Sequence, residues 1–126
     1  MDKEARYNLY KGRVWPGWWP ILDKYIPQIK AIDPNAEIEV KEKLGTLRIW
    51  VGSLMDDHAP FNKIELAAEE ESCTVCEYCG APAKRRTNRR WIVTLCDRCN
   101  NASNARKGRI IEETEQKWLT AALRED

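Results

Sequence analysis

Cys76-Glu77-Tyr78-Cys79-Gly80 and Cys96-Asp97-Arg98-Cys99-Asn100 form the strongest pattern in this chain, two Cys-x-x-Cys pairs separated by sixteen residues. A tight turn lets two thiolates three positions apart grip one ion, and a hairpin of about this length returns the second pair to complete a tetrahedron. Gly80 follows the first pair, where such a knuckle commonly needs positive φ; Asn100, the next most tolerant residue type, holds the matching place after the second. Cys73 offers an alternative pairing with Cys76, but that register puts Glu77 where the glycine should stand, so Cys73 reads as a spare thiol. The expected ligand set is therefore Cys76, Cys79, Cys96 and Cys99 around one Zn2+. Local disulfides are the competing reading, and a reducing cytosol disfavours them. Four thiolates close the coordination sphere and leave no position for water or substrate, so the zinc is expected to be structural.

Between and beyond the two pairs the chain is basic. Over residues 84–109 there are nine cations and one acid, Asp97, so that segment carries +8 while the net charge of the 126-residue chain is only +1. The acids gather at Glu69-Glu70-Glu71 and at Glu112, Glu113 and Glu115. Such segregation points to a polyanion-binding face, most simply for nucleic acid. A hairpin that carries charge only to stay solvated is the blander reading. The candidate contacts are Lys84, Arg85, Arg86, Arg89 and Arg90 on the hairpin, with Arg106, Lys107 and Arg109 extending the face. Trp91 reads either as a ring that stacks on a base or as a lid over the hairpin with Ile92 and Leu95.

Upstream, Trp15-Pro16-Gly17-Trp18-Trp19-Pro20 is an aromatic turn that leads into a helix, with Ile21, Leu22, Tyr25, Ile26 and Ile29 at helical spacing. Pro27 within that pattern predicts a kink or a restart. Residues 36–40 alternate as a strand and 46–51 as its antiparallel partner, with Gly45 at or near the turn. Alternation sends Leu47, Ile49 and Val51 to the core and leaves Arg48 and Trp50 on the outer face. There they form a cation–π pair or ligand platform, or are covered by a helix or paired with Glu39. Pro60 opens a helix over 60–72 with Phe61, Ile64, Leu66, Ala67 and Ala68 inward. A last helix over about 109–123 turns Ile110, Ile111, Trp118, Leu119 and Ala122 inward, and Tyr7, Leu9 and Tyr10 are the only anchors near the start. The fold class is α+β: a small antiparallel hairpin packed with helices, then a zinc-ribbon or treble-clef-like knuckle and a C-terminal helix. An N-terminal region, 1–72, and the knuckle with its helix, 73–126, are expected to make one compact unit.

Enzyme signatures are missing from the sequence. There is one histidine, His58, and no H-x-E, P-loop, dinucleotide fingerprint or G-x-S-x-G elbow, so a non-enzymatic protein is expected. No apolar stretch approaches the ~20 residues of a membrane span and the start has no signal-peptide core, which makes the cytoplasm the expected compartment. Six tryptophans stand against a single phenylalanine, so much of the large apolar volume comes from rings with an N–H donor.

The two knuckles resemble zinc-ribbon and treble-clef fingers, loosely those of GATA type, which implies little beyond zinc. A longer resemblance, spanning residues 17–99, runs through Trp18 to Leu22, the hairpin stretch Glu39 to Arg48 with Lys43-Leu44-Gly45-Thr46-Leu47-Arg48 at its turn, Ala68-Glu69 to Ser72, and the knuckles. These are similar to a set of small uncharacterised phage and prophage proteins whose hairpin reads Lys-Phe-Gly-x-Leu-Arg, with Leu44 here in place of the phenylalanine. That resemblance implies a phage origin, hence a host cytoplasm, and a zinc knuckle, but no activity. It also motivates an alternative function, a counter-defence inhibitor that binds a host protein or sequesters a nucleotide signal. Arg48, Trp50, Trp18 and Trp19 are its candidate ligand or interface residues, tryptophan and arginine being enriched at interface hot spots. Opposed charge segments further allow self-association, basic hairpin against acidic helix.

Overall fold

The computed structural model describes residues 13–124. A 3-10 turn, Pro16–Trp18, delivers the chain into helix α1, Trp19–Ile32. Pro20 is harmless in the first turn, where its missing N–H would have had no helical partner. Ile21, Leu22, Tyr25, Ile26 and Ile29 are all buried, as their spacing predicts. The break expected at Pro27 does not occur, and α1 runs through it as one helix. Pro27 lies on the exposed face, so its ring does not disturb the buried stripe of the helix. Below the helix, the Asp33 carboxylate accepts from the Asn35 N–H at 2.9 Å and from the Ser53 hydroxyl at 2.6 Å.

Strands β1, Glu37–Lys43, and β2, Thr46–Gly52, pair antiparallel with Val40 opposite Ile49 and Lys43 opposite Thr46. The first strand is longer than its alternation suggested, because Lys41, Glu42 and Lys43 keep the ladder going to the turn. That turn is Leu44-Gly45, with φ of +53° and +78°, the left-handed pair whose twist suits a two-residue hairpin. Val40, Leu47, Ile49 and Val51 are buried together with α1 and with helix α2, Ala59–Ser72. Phe61, Ala68 and Ser72 form the inner stripe of α2, while Leu66 is exposed. At about 100° per residue, position 66 stands about 140° around the helix from Phe61, off that stripe. The Ser72 hydroxyl accepts the Leu47 N–H at 2.8 Å and donates to the Glu69 carbonyl at 2.6 Å, so α2 closes the edge of β2.

The chain then turns through the first cysteine pair into β3, Lys84–Arg86, which pairs antiparallel with β4, Val93–Leu95. A short helix α3, Asp97–Asn101, and a long helix α4, Asn104–Arg124, complete the order. Helix α4 starts more than a turn earlier than its apolar spacing indicated, because its first residues are polar and exposed. Ile110 and Thr114 are buried, and Ile111, Trp118 and Leu119 are half-buried. Tyr7, Leu9 and Tyr10 lie outside the described residues, as does the side chain of Ala122. No helix among the described residues is long and apolar enough to cross a membrane.

Two apolar clusters result, a main one under the hairpin and a small one of Cys76, Leu95, Cys96, Cys99 and Ile110. Backbone contacts join them. The Gly17 N–H donates to the Glu77 carbonyl at 2.8 Å, and the Trp18 indole donates to the Val75 carbonyl at 2.8 Å. A Cβ at position 17 would overlap the carbonyl oxygen of Cys76 and sit 2.5 Å from that of Glu77. On another side, the Thr94 hydroxyl donates to the Gly45 carbonyl at 2.6 Å and Arg85 Nε to the Leu44 carbonyl at 2.8 Å. Gly17→Ala is therefore expected to destabilise the protein by about 3 kcal/mol or more, read from the urea midpoint. Gly108→Ala is the control: nothing lies within 4 Å of a Cβ there. It should be neutral or stabilise the helix by up to about 1 kcal/mol.

Candidate metal centre

The first cysteine pair sits in a tight turn held by backbone bonds. Cys76 N–H donates to the Ala81 carbonyl at 2.8 Å and Gly80 N–H to the Cys76 carbonyl at 2.9 Å. Gly80 has φ of +83°, the conformation expected of the residue after this pair. The second pair is built differently. Cys96 caps α3, its sulfur accepting the Cys99 N–H at 3.4 Å, and Cys99 lies in the helix's first turn. Asn100 is consequently helical, so the positive φ anticipated at that position is not needed. Of the two layouts anticipated, a knuckle followed by a helix turn is the treble-clef-like one.

The ligand atoms of Cys76, Cys79, Cys96 and Cys99 all lie within 4.8 Å of one another, and the sulfurs of Cys79 and Cys96 are 3.7 Å apart. A tetrahedral ion with bonds of about 2.3 Å requires sulfurs about 3.8 Å apart. All five cysteines are free thiols, and Cys73 is turned away, its sulfur 3.4 Å from the Glu69 carbonyl. The four-sulfur set fits one metal ion. Burial pushes the Cys76 and Cys99 thiols up, and for Cys99 the neighbouring sulfurs add to the effect. Four thiols this close together ionise jointly only around a cation, so metal loading releases protons. Arg98 is exposed near Cys79, whose sulfur holds the guanidinium above its ordinary pKa.

Glu77, inside the first pair, is only 2% exposed. Its carboxylate accepts the Thr94 N–H at 2.7 Å, and its own N–H donates to the Thr94 carbonyl at 3.0 Å, so it locks the knuckle to β4. Burial pushes its pKa to about 7, against the Thr94 hydrogen bond and with help from nearby Glu42. Nothing in the sequence distinguishes this glutamate from a surface one. Its role comes from the strand that folds over it.

The basic residues divide by function. Arg86 donates to the Leu95 carbonyl at 3.1 and 2.9 Å and pairs with Asp97 at 2.8 Å, so it staples β3 to the start of α3. Arg85 holds Leu44, and Arg89 donates to the Asn100 side chain at 2.9 Å. Lys84 and Arg90 are exposed, as are Arg106 and Arg109 in the first two turns of α4, with Lys107 half-buried between them. Trp91 is 72% exposed and covers nothing, because Leu95 is buried without it. The anticipated lid is not formed.

The tryptophans of the aromatic turn also differ from expectation. Trp18 and Trp19 are 0% and 1% exposed, core residues that offer no ligand or interface surface. The Gly17 contact pulls the turn onto the knuckle and carries both rings inside. Arg48 pairs with Glu69 at 2.7 Å and donates to the Thr46 hydroxyl at 2.9 Å, and it is Trp50 that stands opposite Glu39. Trp50 itself is 54% exposed on the outer face. No family model, curated protein or solved structure matches the chain.

The raised pKa of Glu77 has a definite sign. An acid whose folded pKa lies above its unfolded one favours the fold when protonated, and that contribution is lost as pH rises toward about 7. Glu77→Gln keeps the acceptor for Thr94 and cannot ionise. In urea unfolding of the metal-loaded proteins, its stability relative to wild type should grow between about pH 5 and pH 7. A difference independent of pH would show that Glu77 does not titrate there.

Proposed function

We propose that the centre holds one structural Zn2+ and that the protein is a non-enzymatic binding module whose zinc-braced basic hairpin contacts a polyanion, most simply nucleic acid. Zinc is favoured among thiophilic ions because it takes four thiolates tetrahedrally and asks for no redox partner. Free thiolates of this kind also suit a reducing compartment such as the cytoplasm.

The observation that carries the reading is the placement of cations where they destabilise the fold. Helix α4, 21 residues long, has no acid in its first turn and begins instead with Arg106, Lys107 and Arg109. The helix dipole already makes that end positive, so the cations oppose it by a few tenths of a kcal/mol each, roughly. A bound anion offsets both charges. Arg89, by bonding Asn100, sets the hairpin tip beside the end of α3, four residues before α4 begins. Lys84, Arg89 and Arg90 can then act with the α4 cations on one anionic chain, while Arg86 stays with the fold.

A second reading rests on a different surface. Trp50, Leu54 and Met55 are exposed, and Leu54 and Met55 line a recess of about 620 Å³ with Asp33, Asn35 and Ser53. An apolar rim of this kind suits a protein partner, as the inhibitor alternative requires. Affinity capture after nuclease treatment separates the two: one stoichiometric protein bound through Trp50 supports the second reading and counts against the first.

Metal analysis of the purified protein is expected to return one zinc per chain, and Cys96→Ser to lose both the ion and protection of amides beyond residue 73 from hydrogen exchange. A folded protein without metal would remove the assignment. Affinity for a polynucleotide should fall steeply between about 50 and about 200 mM salt. Arg89→Glu with Arg90→Glu should weaken binding to every sequence and flatten the log–log salt slope by about 1 for each phosphate no longer neutralised. Unchanged affinity in that double variant would rule out the hairpin.

A further inference from the structure

We infer that the polyanion gripped by this hairpin is single-stranded nucleic acid, with an unpaired base stacked on Trp91. This rests on the nucleic-acid reading above and narrows it. Among the described residues Trp91 is the most exposed tryptophan, at 72%, and it sits in the loop between β3 and β4. The others are engaged by the protein. Trp18 and Trp19 are core, Trp15 meets Tyr78 edge-on at 5.7 Å, the Trp50 ring lies over Gly52, and Trp118 is half-buried beside Gly80. Trp91 has the Arg90 guanidinium 5.8 Å from its ring centre and is otherwise open.

Leaving so large a ring in water forgoes the stabilisation its burial would bring, which a hairpin shaped only for stability would recover by folding it inward. The cost is offset when the ring meets a ligand face. Its neighbours say which face. Lys84, Arg89 and Arg90 are exposed and suit phosphates, while an indole suits the flat side of a base. In a duplex those flat sides are covered by neighbouring base pairs, whereas a single strand presents them. The loop is also held ready: the β3–β4 pairing joins its ends, the Arg86 staple to Leu95 and Asp97 secures the first of them, and the Arg89–Asn100 bond ties its middle to α3. Little ordering remains to oppose binding.

The test uses labelled oligothymidine and oligouridine of about twelve nucleotides, and a mixed-sequence duplex of similar length. The zinc-loaded wild type should prefer either single strand over the duplex. Trp91→Ala should weaken single-strand binding by about 5- to 100-fold, with the salt slope unchanged because no charge is removed. Trp91→Phe should keep most of the affinity. Retained zinc and an unchanged melting point establish that the variants fold, as expected for an exposed position. Equal affinity for duplex and single strand, or full affinity in Trp91→Ala, overturns the stacking inference and leaves the polyanion reading standing. Absence of binding to any of the polymers overturns both.

Discussion

Gly17 lies so close to the carbonyls of Cys76 and Glu77 that no side chain fits between them, and both halves of the molecule are organised around that approach. It lets the Gly17 N–H and the Trp18 indole bond to knuckle carbonyls, and it sinks Trp18 and Trp19 into the main core. The knuckle has only a small apolar cluster of its own, too little to hold a fold of that size unaided. It is held from within by the gathering of four sulfurs, a set that fits one metal ion, and from outside by the aromatic turn and the β1–β2 turn. Each support presupposes the others. The carbonyls that receive Gly17 and Trp18, those of Glu77 and Val75, flank Cys76 on either side.

The same economy of contacts explains the electrostatics. Arg86 is turned inward, to Asp97 and the Leu95 carbonyl, while Arg98 stays exposed near the Cys79 sulfur. Glu77 is a buried acid bound to the β4 backbone; burial raises its pKa, and its bonds to Thr94 couple the knuckle to the strand. Outward stand Arg98, the cations of the hairpin tip and those of the first turns of α4. Among the described residues no ion pair joins them to Glu112 or Glu113, which follow farther along the same helix.

Where a feature depended on local period or spacing, it could be read from the residues. The buried stripe of α1, the alternation of β2 and the four-cysteine set with Cys73 left out are of this kind. Where it depended on what lies across a gap in sequence, it could not. Arg48 finds Glu69 on α2, and Arg86 finds a carbonyl on β4, distances in the chain over which no pattern runs. Pro27 looked like a break because its cost is local, but its exposed position reduces that cost. The first turn of α4 was missed because it lacks the apolar residues that mark helical period.

The sequence by itself thus determined the four-cysteine set, the β1–β2 hairpin, the three longer helices and the separation of charge, because thiolate spacing, side-chain alternation and helical period act within a few residues. Tertiary structure alone decided which tryptophans are core and which face solvent. Trp18, Trp19 and Trp91 are the same residue type, each beside polar or turn-forming neighbours. The close approach of Gly17 to the knuckle encloses the first two, and no element of the described fold reaches over the third.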